Sequence, residues 1–395
     1  MDLLYLTAQE EHEMNVAIVG VGQTPFSRNC GINIRELCFE AFRKTLEDIN
    51  LTPKEIDASI ICSAPEYDKQ RSPAGLISEY LGLTPKPTFY AESICSSSST
   101  GVKIGYSFIK SRLHDVVAVI GFQKMSEISS GEAQERMGRG ADIQWESPFG
   151  TMMPGGYAMC AHAHMQKYGT TEEQLAKVKV KSGKYALLNP LAMYRRALTL
   201  EECMKARVIA SPLRLYDCCA NADGASCIIM ASEQKARKIT DSPIWVAGIG
   251  TASDTLSTTG RTNLSGLSCA TEAARKAYNM ARIEPKNVDV AEVHDCFTIA
   301  EIMAYENLGF CKPGEGGKLI EESQTYIGGR IPVNVDGGLL SKGHPIGATG
   351  GSQIRTIVLQ LQGRAGKTQV NGAEVGLVHN IGGVGVYGNV TILKR

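Results

Sequence analysis

One cysteine stands ahead of four serines, a threonine and a glycine in AESICSSSSTG, residues 91–101, and VKIGYSFIKSRL then continues with helical spacing. A thiol at the mouth of a helix is placed for nucleophilic chemistry. The partial positive charge of the N-terminus favours thiolate, as does a nearby imidazole, and the unpaired backbone N–H groups can receive an oxyanion. Two histidines stand in comparable settings. His344 opens HPIGATG, another entrance to a helix of small residues, and His294 lies two residues from Cys296 in VHDCFT. Positions two apart on a strand end face the same side, so His294 and Cys296 can address one point. Most free cysteines are simply small buried apolar groups. What lifts Cys95 out of that class is its place in an internal repeat.

The repeat has a long period. AIVGVG at 17–22 returns as WVAGIG at 245–250, and LTPKEID at 51–57 returns as IEPKNVD at 283–289. Each aspartate leads into an apolar strand, ASIICSAP or VAEVHDCF. CSSSSTG at 95–101 lines up with HPIGATG at 344–350, and each is followed by a helix and a further strand. Each half therefore alternates strands and helices, which predicts an α/β protein with mixed sheets covered by helices. The expected halves are 14–240 and 241–395. Within the first, a Met- and Gly-rich segment at about 124–210, containing GTMMPGGYAM, reads as an inserted subdomain over the site. CIIMAS reads as the last strand of that half. Residues 1–13 read as a disordered, detachable leader or a start-site artefact, because Met14 is followed at once by the strand-and-turn pattern NVAIVGVGQT. Cys95 and His344 hold equivalent positions in the two halves. Packing about a pseudo-twofold axis would bring their helix entrances together.

Composition narrows the function classes. The 41 basic and 41 acidic residues balance, which argues against nucleic acid as a main partner and leaves no polybasic membrane patch. Apolar runs are strand-sized, far short of the roughly 20 residues of a membrane span. The start MDLLYLTAQEEHE lacks the apolar core of a signal peptide and ILKR is no peroxisomal address, so a cytoplasmic location is expected. The 12 cysteines then read as free thiols. There is no CxxC, and His162 and His164 would diverge on a helix, so no metal is expected. Gly20 and Gly22 lack the third glycine of a dinucleotide fingerprint.

From residue 14 onward the chain resembles the thiolase superfamily. Three signatures carry the resemblance: ESICSSSS at 92–99, VHDCFT at 293–298, and the long, specific NVDGGLLSKGHPIGATG at 334–350. VHDCFT marks the sterol-carrier-protein-type branch. Commoner thiolases have an Asn-Glu-type motif there and take a second catalytic cysteine from a C-x-G loop near the C-terminus. Here that loop reads LVHNIGG, with His379 in the cysteine's place, and Cys296 supplies the second thiol.

The resemblance implies a thiolase fold: two pseudo-twofold mixed-sheet halves in α/β/α/β/α layers with an inserted loop subdomain. It implies CoA thioesters as substrates and no permanently bound cofactor. Cys95 would be acylated, with His344 taking its proton or stabilising the thiolate. Cys296 would be the acid/base, and His294 and His344 would face the enolate oxygen. His379, Asn380, Gly382 and Gly383 would form a site loop whose amides join that of Cys95 around an oxyanion; for His379 a packing role fits equally. CoA would lie against the inserted segment. The pattern is most similar to short-chain archaeal thiolases. That implies an acetyl-CoA C-acetyltransferase serving the mevalonate pathway, a homodimer or homotetramer, and a complex with hydroxymethylglutaryl-CoA synthase through a small zinc-ribbon/OB-fold protein. The alternatives are a degradative thiolase of longer 3-ketoacyl-CoA and a non-catalytic acyl-CoA or lipid-binding scaffold. A third is a steroid side-chain aldolase partner. The paired thiols speak against the last two.

Overall fold

Buried runs of β-branched and small residues form the strands, and the computed structural model describes residues 15–68 and 70–395. The expectation for residues 1–13 lies outside the described residues. The strands are β1 (Val16–Gln23), β2 (Ala58–Cys62), β3 (Thr88–Ala91), β4 (Val116–Lys124), a small hairpin of β5 (Val208–Ala210) and β6 (Leu213–Arg214), β7 (Asp223–Ser232), β8 (Ile244–Ser253), β9 (Val290–Glu292), β10 (Val375–Gly382) and β11 (Tyr387–Lys394). The helices are α1 (Ile34–Asp48), α2 (Pro73–Tyr80), α3 (Ser97–Lys110), α4 (Ser130–Gly138), α5 (Met153–Tyr168), α6 (Glu172–Ala186), α7 (Leu200–Met204), α8 (Glu233–Ile239), α9 (Ser268–Ala281), α10 (Thr298–Asn307), α11 (Gly316–Glu321) and α12 (Thr349–Leu361).

The sheet order shows the repeat. It runs β3-β2-β4-β7-β1-β8-β11-β10-β9. From its middle outward the two arms match strand for strand, and the arm ending in β9 gains a lone parallel bridge, Ala291 to Val333, where the other arm has β3. In each arm the two outer pairings are parallel and the inner ones antiparallel. The halves are joined edge to edge: Ala17 pairs with Trp245 and Ile18 with Ile244, which makes one nine-stranded mixed sheet.

Three large cores show the layers. α1 and α2 cover one outer face and α9 and α10 the other. Between the arms, a central core takes Val102 and Tyr106 from α3, Ile354 and Ile357 from α12, and strand residues from both halves. The Gly-x-Gly pairs belong to this packing. A Cβ on Gly22 would sit 2.6 Å from the Ala41 carbonyl of α1, and one on Gly250 would sit 1.9 Å from the Ala273 carbonyl of α9. Each pair lets an outer helix lie directly on its strand.

Candidate active site

Cys95 and His344 each sit one short turn before a central helix. Cys95 lies in the 3₁₀ turn Ile94–Ser96 ahead of α3, and His344 just precedes the turn Ile346–Ala348 ahead of α12. The two helices approach until a Cβ on Gly350 would lie 2.2 Å from Ser99 Oγ, so the small residues are a condition of the convergence. Ser98 Oγ accepts a hydrogen bond from Gly351 N–H at 2.9 Å across the same crossing.

The turn holding Cys95 is strained. Ile94 has φ of 54°, a left-handed conformation that costs a β-branched residue about 1–3 kcal/mol. Neighbours hold it there. Ile94 N–H donates to the Glu92 carboxylate at 2.6 Å, Ser97 O–H donates to the Ile94 carbonyl at 2.7 Å, and Ser93 N–H donates to Ser97 Oγ at 3.1 Å. The serines are therefore ties as well as small residues.

His294 follows β9. Cys95 Sγ and one ring nitrogen from each of His294 and His344 all lie within 4.8 Å of one another. The two rings are edge-on, centroids 5.2 Å apart. Hydrogen bonding assigns them opposite tautomers. Thr349 O–H donates to the Pro345 carbonyl at 3.0 Å, so Thr349 Oγ1 accepts from His344 Nδ1–H at 2.7 Å and His344 Nε2 carries a lone pair. Ser99 O–H donates to Asn380 Oδ1 at 3.0 Å, which turns the Asn380 amide so that its Nδ2–H donates to His294 Nδ1 at 2.9 Å. The His294 proton is therefore on Nε2. Both Nε2 atoms are buried without a protein partner. One histidine is thus a ready base and the other a ready donor, which is the division acyl transfer to a thiol needs.

Burial pushes the Cys95 thiol up to about 12, although Gly383 N–H, directed at the sulfur, pulls the other way. Burial also lowers His344 to about 3 and puts His294 well below its ordinary value, with His344 and His379 adding to the shift. Desolvation thus favours the neutral thiol and neutral imidazole and opposes the pull of the helix terminus toward thiolate.

Cys296 lines the same cavity of about 560 Å³ as Cys95, His344 and Gly383. Burial pushes its thiol well above the ordinary range, and the Tyr157 hydroxyl beside it partly opposes that. Tyr157 O–H donates to the Gly383 carbonyl at 3.0 Å and its ring stacks on Phe297 at 4.7 Å. Tyr157 thereby joins Cys296 to the loop facing Cys95. Cys219 N–H donates to the Cys296 carbonyl at 2.9 Å and braces the turn from behind.

The LVHNIGG loop divides. Asn380 orients His294 and Gly383 faces Cys95, whereas Gly382 packs against the Ser93 carbonyl. His379 shares the strand face of Leu377 and Ile381, which belong to the outer core, and it lines neither cavity that opens on Cys95. Its ring is buried, and burial lowers it to about 3. The long signature works largely behind the site. Asn334 accepts from Val293 N–H at 2.8 Å, Asp295 accepts from Leu339 N–H at 2.7 Å, and Asp336 pairs with the buried Lys342 two residues before His344. Sequence reasoning missed Ser99, Thr349 and Tyr157 as functional residues. Ser99 and Thr349 stood inside the motifs but passed for small residues, and Tyr157 carried no pattern at all.

Comparison with known proteins follows this geometry. Residues 16–234 match the model of the thiolase N-terminal domain, and residues 250–395 match the model "Thiolase C-terminal domain-like". An acetyl-CoA acetyltransferase of Methanothermobacter thermautotrophicus is 39% identical over 96% of this chain and all of that protein. Sterol carrier protein 2 of Bos taurus is 34% identical over 95% of this chain and 72% of its own length. Among solved structures, an Ltp2-ChsH2(DUF35) aldolase superposes with a TM-score of 0.84 at 26% identity, covering 96% of this chain and 98% of that one.

Proposed function

The chain belongs to the thiolase family, and on that premise we propose that it condenses two acetyl-CoA to acetoacetyl-CoA and CoA by ping-pong chemistry through acyl-Cys95. It is an acyltransferase that uses CoA thioesters and no permanent cofactor, as its acetyl-CoA acetyltransferase relatives indicate. The observation that carries the finer reading is the meeting of Cys95 with one ring nitrogen each of His344 and His294, whose Nε2 atoms have no protein partner, with a second thiol, Cys296, lining the same cavity as Cys95 and His344.

Proton balance orders the steps. His344 Nε2 takes the Cys95 proton as the sulfur attacks the first thioester, and the backbone amides of Cys95 and Gly383 receive the oxyanion. Cys296 gives its proton to the departing CoA sulfur and becomes a thiolate. That thiolate removes a proton from the α-carbon of the second acetyl-CoA. The enolate oxygen accepts from His294 Nε2–H and from the imidazolium of His344. The carbanion attacks acyl-Cys95, acetoacetyl-CoA leaves, and the Cys95 thiolate recovers its proton from His344. Both thiols end as they began.

Support for the surroundings is separate. A homodimer or homotetramer fits the free edge at β3, where Phe89 and Tyr90 are exposed. A role in the mevalonate pathway fits the archaeal relatives, and a small partner linking the chain to hydroxymethylglutaryl-CoA synthase fits the DUF35 component of the solved aldolase. Among the described residues no helix is long and apolar enough to cross a membrane, and we place the chain in the cytoplasm.

A second reading, a thiolase of longer 3-ketoacyl-CoA, has its own observation. Cys95 also lines a cavity of about 670 Å³ with Tyr67, Met137 and Leu256, room for an acyl chain beyond acetyl. Thiolysis of acetoacetyl-CoA and of longer 3-ketoacyl-CoA by wild type, Cys95→Ala and Cys296→Ala tests both. Turnover of acetoacetyl-CoA lost in both variants is expected. Preference for the longer substrates would favour the second reading, and an inactive wild type on all of them would sink both.

A further inference from the structure

A third cavity, of about 510 Å³, shares no lining residue with the two that open on Cys95. It lies between the segment after α6 and the C-terminal half of α12. Its charge is one-sided. Arg195, Arg355, Arg364 and Lys367 line it, against the single carboxylate of Asp336. Asp336 is already engaged by Lys342, by Thr356 O–H and by Gly338 N–H. Arg364 is held by Asp48 at 2.7 Å. Among the described residues the guanidinium of Arg355 has neither an ion pair nor a hydrogen bond, though it is mostly withdrawn from water and burial lowers its pKa. Arg195 and Lys367, at exposed positions, are likewise unpaired.

A second feature points the same way. Gln23 is 3% exposed and lines this cavity. Ser352 O–H donates to its Oε1 at 2.8 Å, and its Nε2 is left buried with no partner. A buried amide donor without an acceptor carries a cost, and a guanidinium mostly withdrawn from water, on which Asp336 and Asp48 act without direct contact, adds to that. Both costs are removed by one kind of occupant: a multiply charged anion that accepts from an amide and a guanidinium together. A phosphoryl group has the three acceptor oxygens and the charge for this, and the volume suits a small phosphorylated molecule.

We propose that the cleft of Gln23, Arg195, Arg355 and Lys367 is a binding site for the phosphoryl group of a small molecule, separate from the acyl-transfer centre. It stands independently of the substrate reading above. Titration calorimetry of the full chain with inorganic phosphate and with pyrophosphate, against acetate as control, tests it. The variants are Arg355→Met, which keeps the aliphatic stem, and Arg195→Ala, an exposed change that carries little folding risk. Phosphate or pyrophosphate is expected to bind wild type at millimolar concentration or tighter. Each variant should weaken binding by about tenfold, with acetoacetyl-CoA thiolysis unaltered in the absence of the anion. No heat of binding in wild type overturns the proposal. So does binding that both variants leave unchanged, which would put the anion elsewhere, and so does acetate binding as well as phosphate.

Discussion

Replacing Asn380 by aspartate changes one atom group and should reverse the tautomer of His294. Asn380 Nδ2–H donates to His294 Nδ1 at 2.9 Å, and the proton on the unpartnered Nε2 is the one that the proposed mechanism offers to the enolate oxygen. A carboxylate of the same shape can only accept. His294 must then protonate Nδ1, and its neutral form turns a lone pair toward the oxyanion. Loss of one such donor costs about 3 kcal/mol, or about 10²–10³ in kcat. The carboxylate also opposes the burial that keeps His294 neutral, so the variant's imidazole should titrate at a raised pKa. Below that pKa the imidazolium again offers Nε2–H; above it the donor is lost. The expected signature is a thiolysis kcat that falls with rising pH in Asn380→Asp and is level in wild type from about pH 6 to about pH 8. Acylation of Cys95, read by the mass increase on incubation with acetyl-CoA, should stay within about tenfold of wild type, because His294 acts on the enolate. Unfolding midpoints show whether the variant folds. A variant with wild-type kcat at pH 8, or one that loses acylation and condensation equally, would refute the assignment.

Other consequences are as direct. Tyr157→Phe removes the hydroxyl between Cys296 and Gly383 and should lower the rate of condensation by about tenfold while Cys95 still acylates, a split that single-turnover kinetics resolves. Because Cys95 rests as a thiol held up to about 12, its alkylation by iodoacetamide should be slow at neutral pH and climb with pH; a fast, pH-independent rate would mean a resting thiolate pair. Buried thiols such as Cys227 and Cys269 are raised from 9.0 to about 12 in the fold. Their contribution to stability is whole below pH 9 and falls by about 1.4 kcal/mol per thiol per pH unit between there and about 12, since the unfolded chain ionises first. Lys179, lowered to about 8, runs the opposite way but is a single group, so the urea midpoint should fall steeply above pH 9. Gly22→Ala drives a Cβ to 2.3 Å from Thr45 Oγ1 and 2.6 Å from the Ala41 carbonyl, and should cost about 3 kcal/mol in urea unfolding.

The internal repeat carried the architecture. Once 95–101 was aligned with 344–350, the pairing of Cys95 with His344 followed from equivalence, and the structure places both within one site. The joining of both halves into a single sheet was not legible, because it rests on two residue pairs at ordinary strand positions, Ala17 with Trp245 and Ile18 with Ile244. Gly20 and Gly22 lacked the third glycine of a dinucleotide fingerprint, but their use, seating α1 on β1, depends on which helix comes to lie there.

Residue types in periodic or repeated order are local properties, so the sequence alone determined the α/β class, the two thiols and two histidines of the site, and the small residues their convergence requires. Charge states and tautomers belong to the surroundings. Whether Cys95 rests as thiol or thiolate is a contest between desolvation and a helix terminus. Which nitrogen of His294 bears the proton depends on Ser99, 281 residues from Asn380 along the chain. Energies of that kind depend on distances in space, and only the tertiary structure decided them.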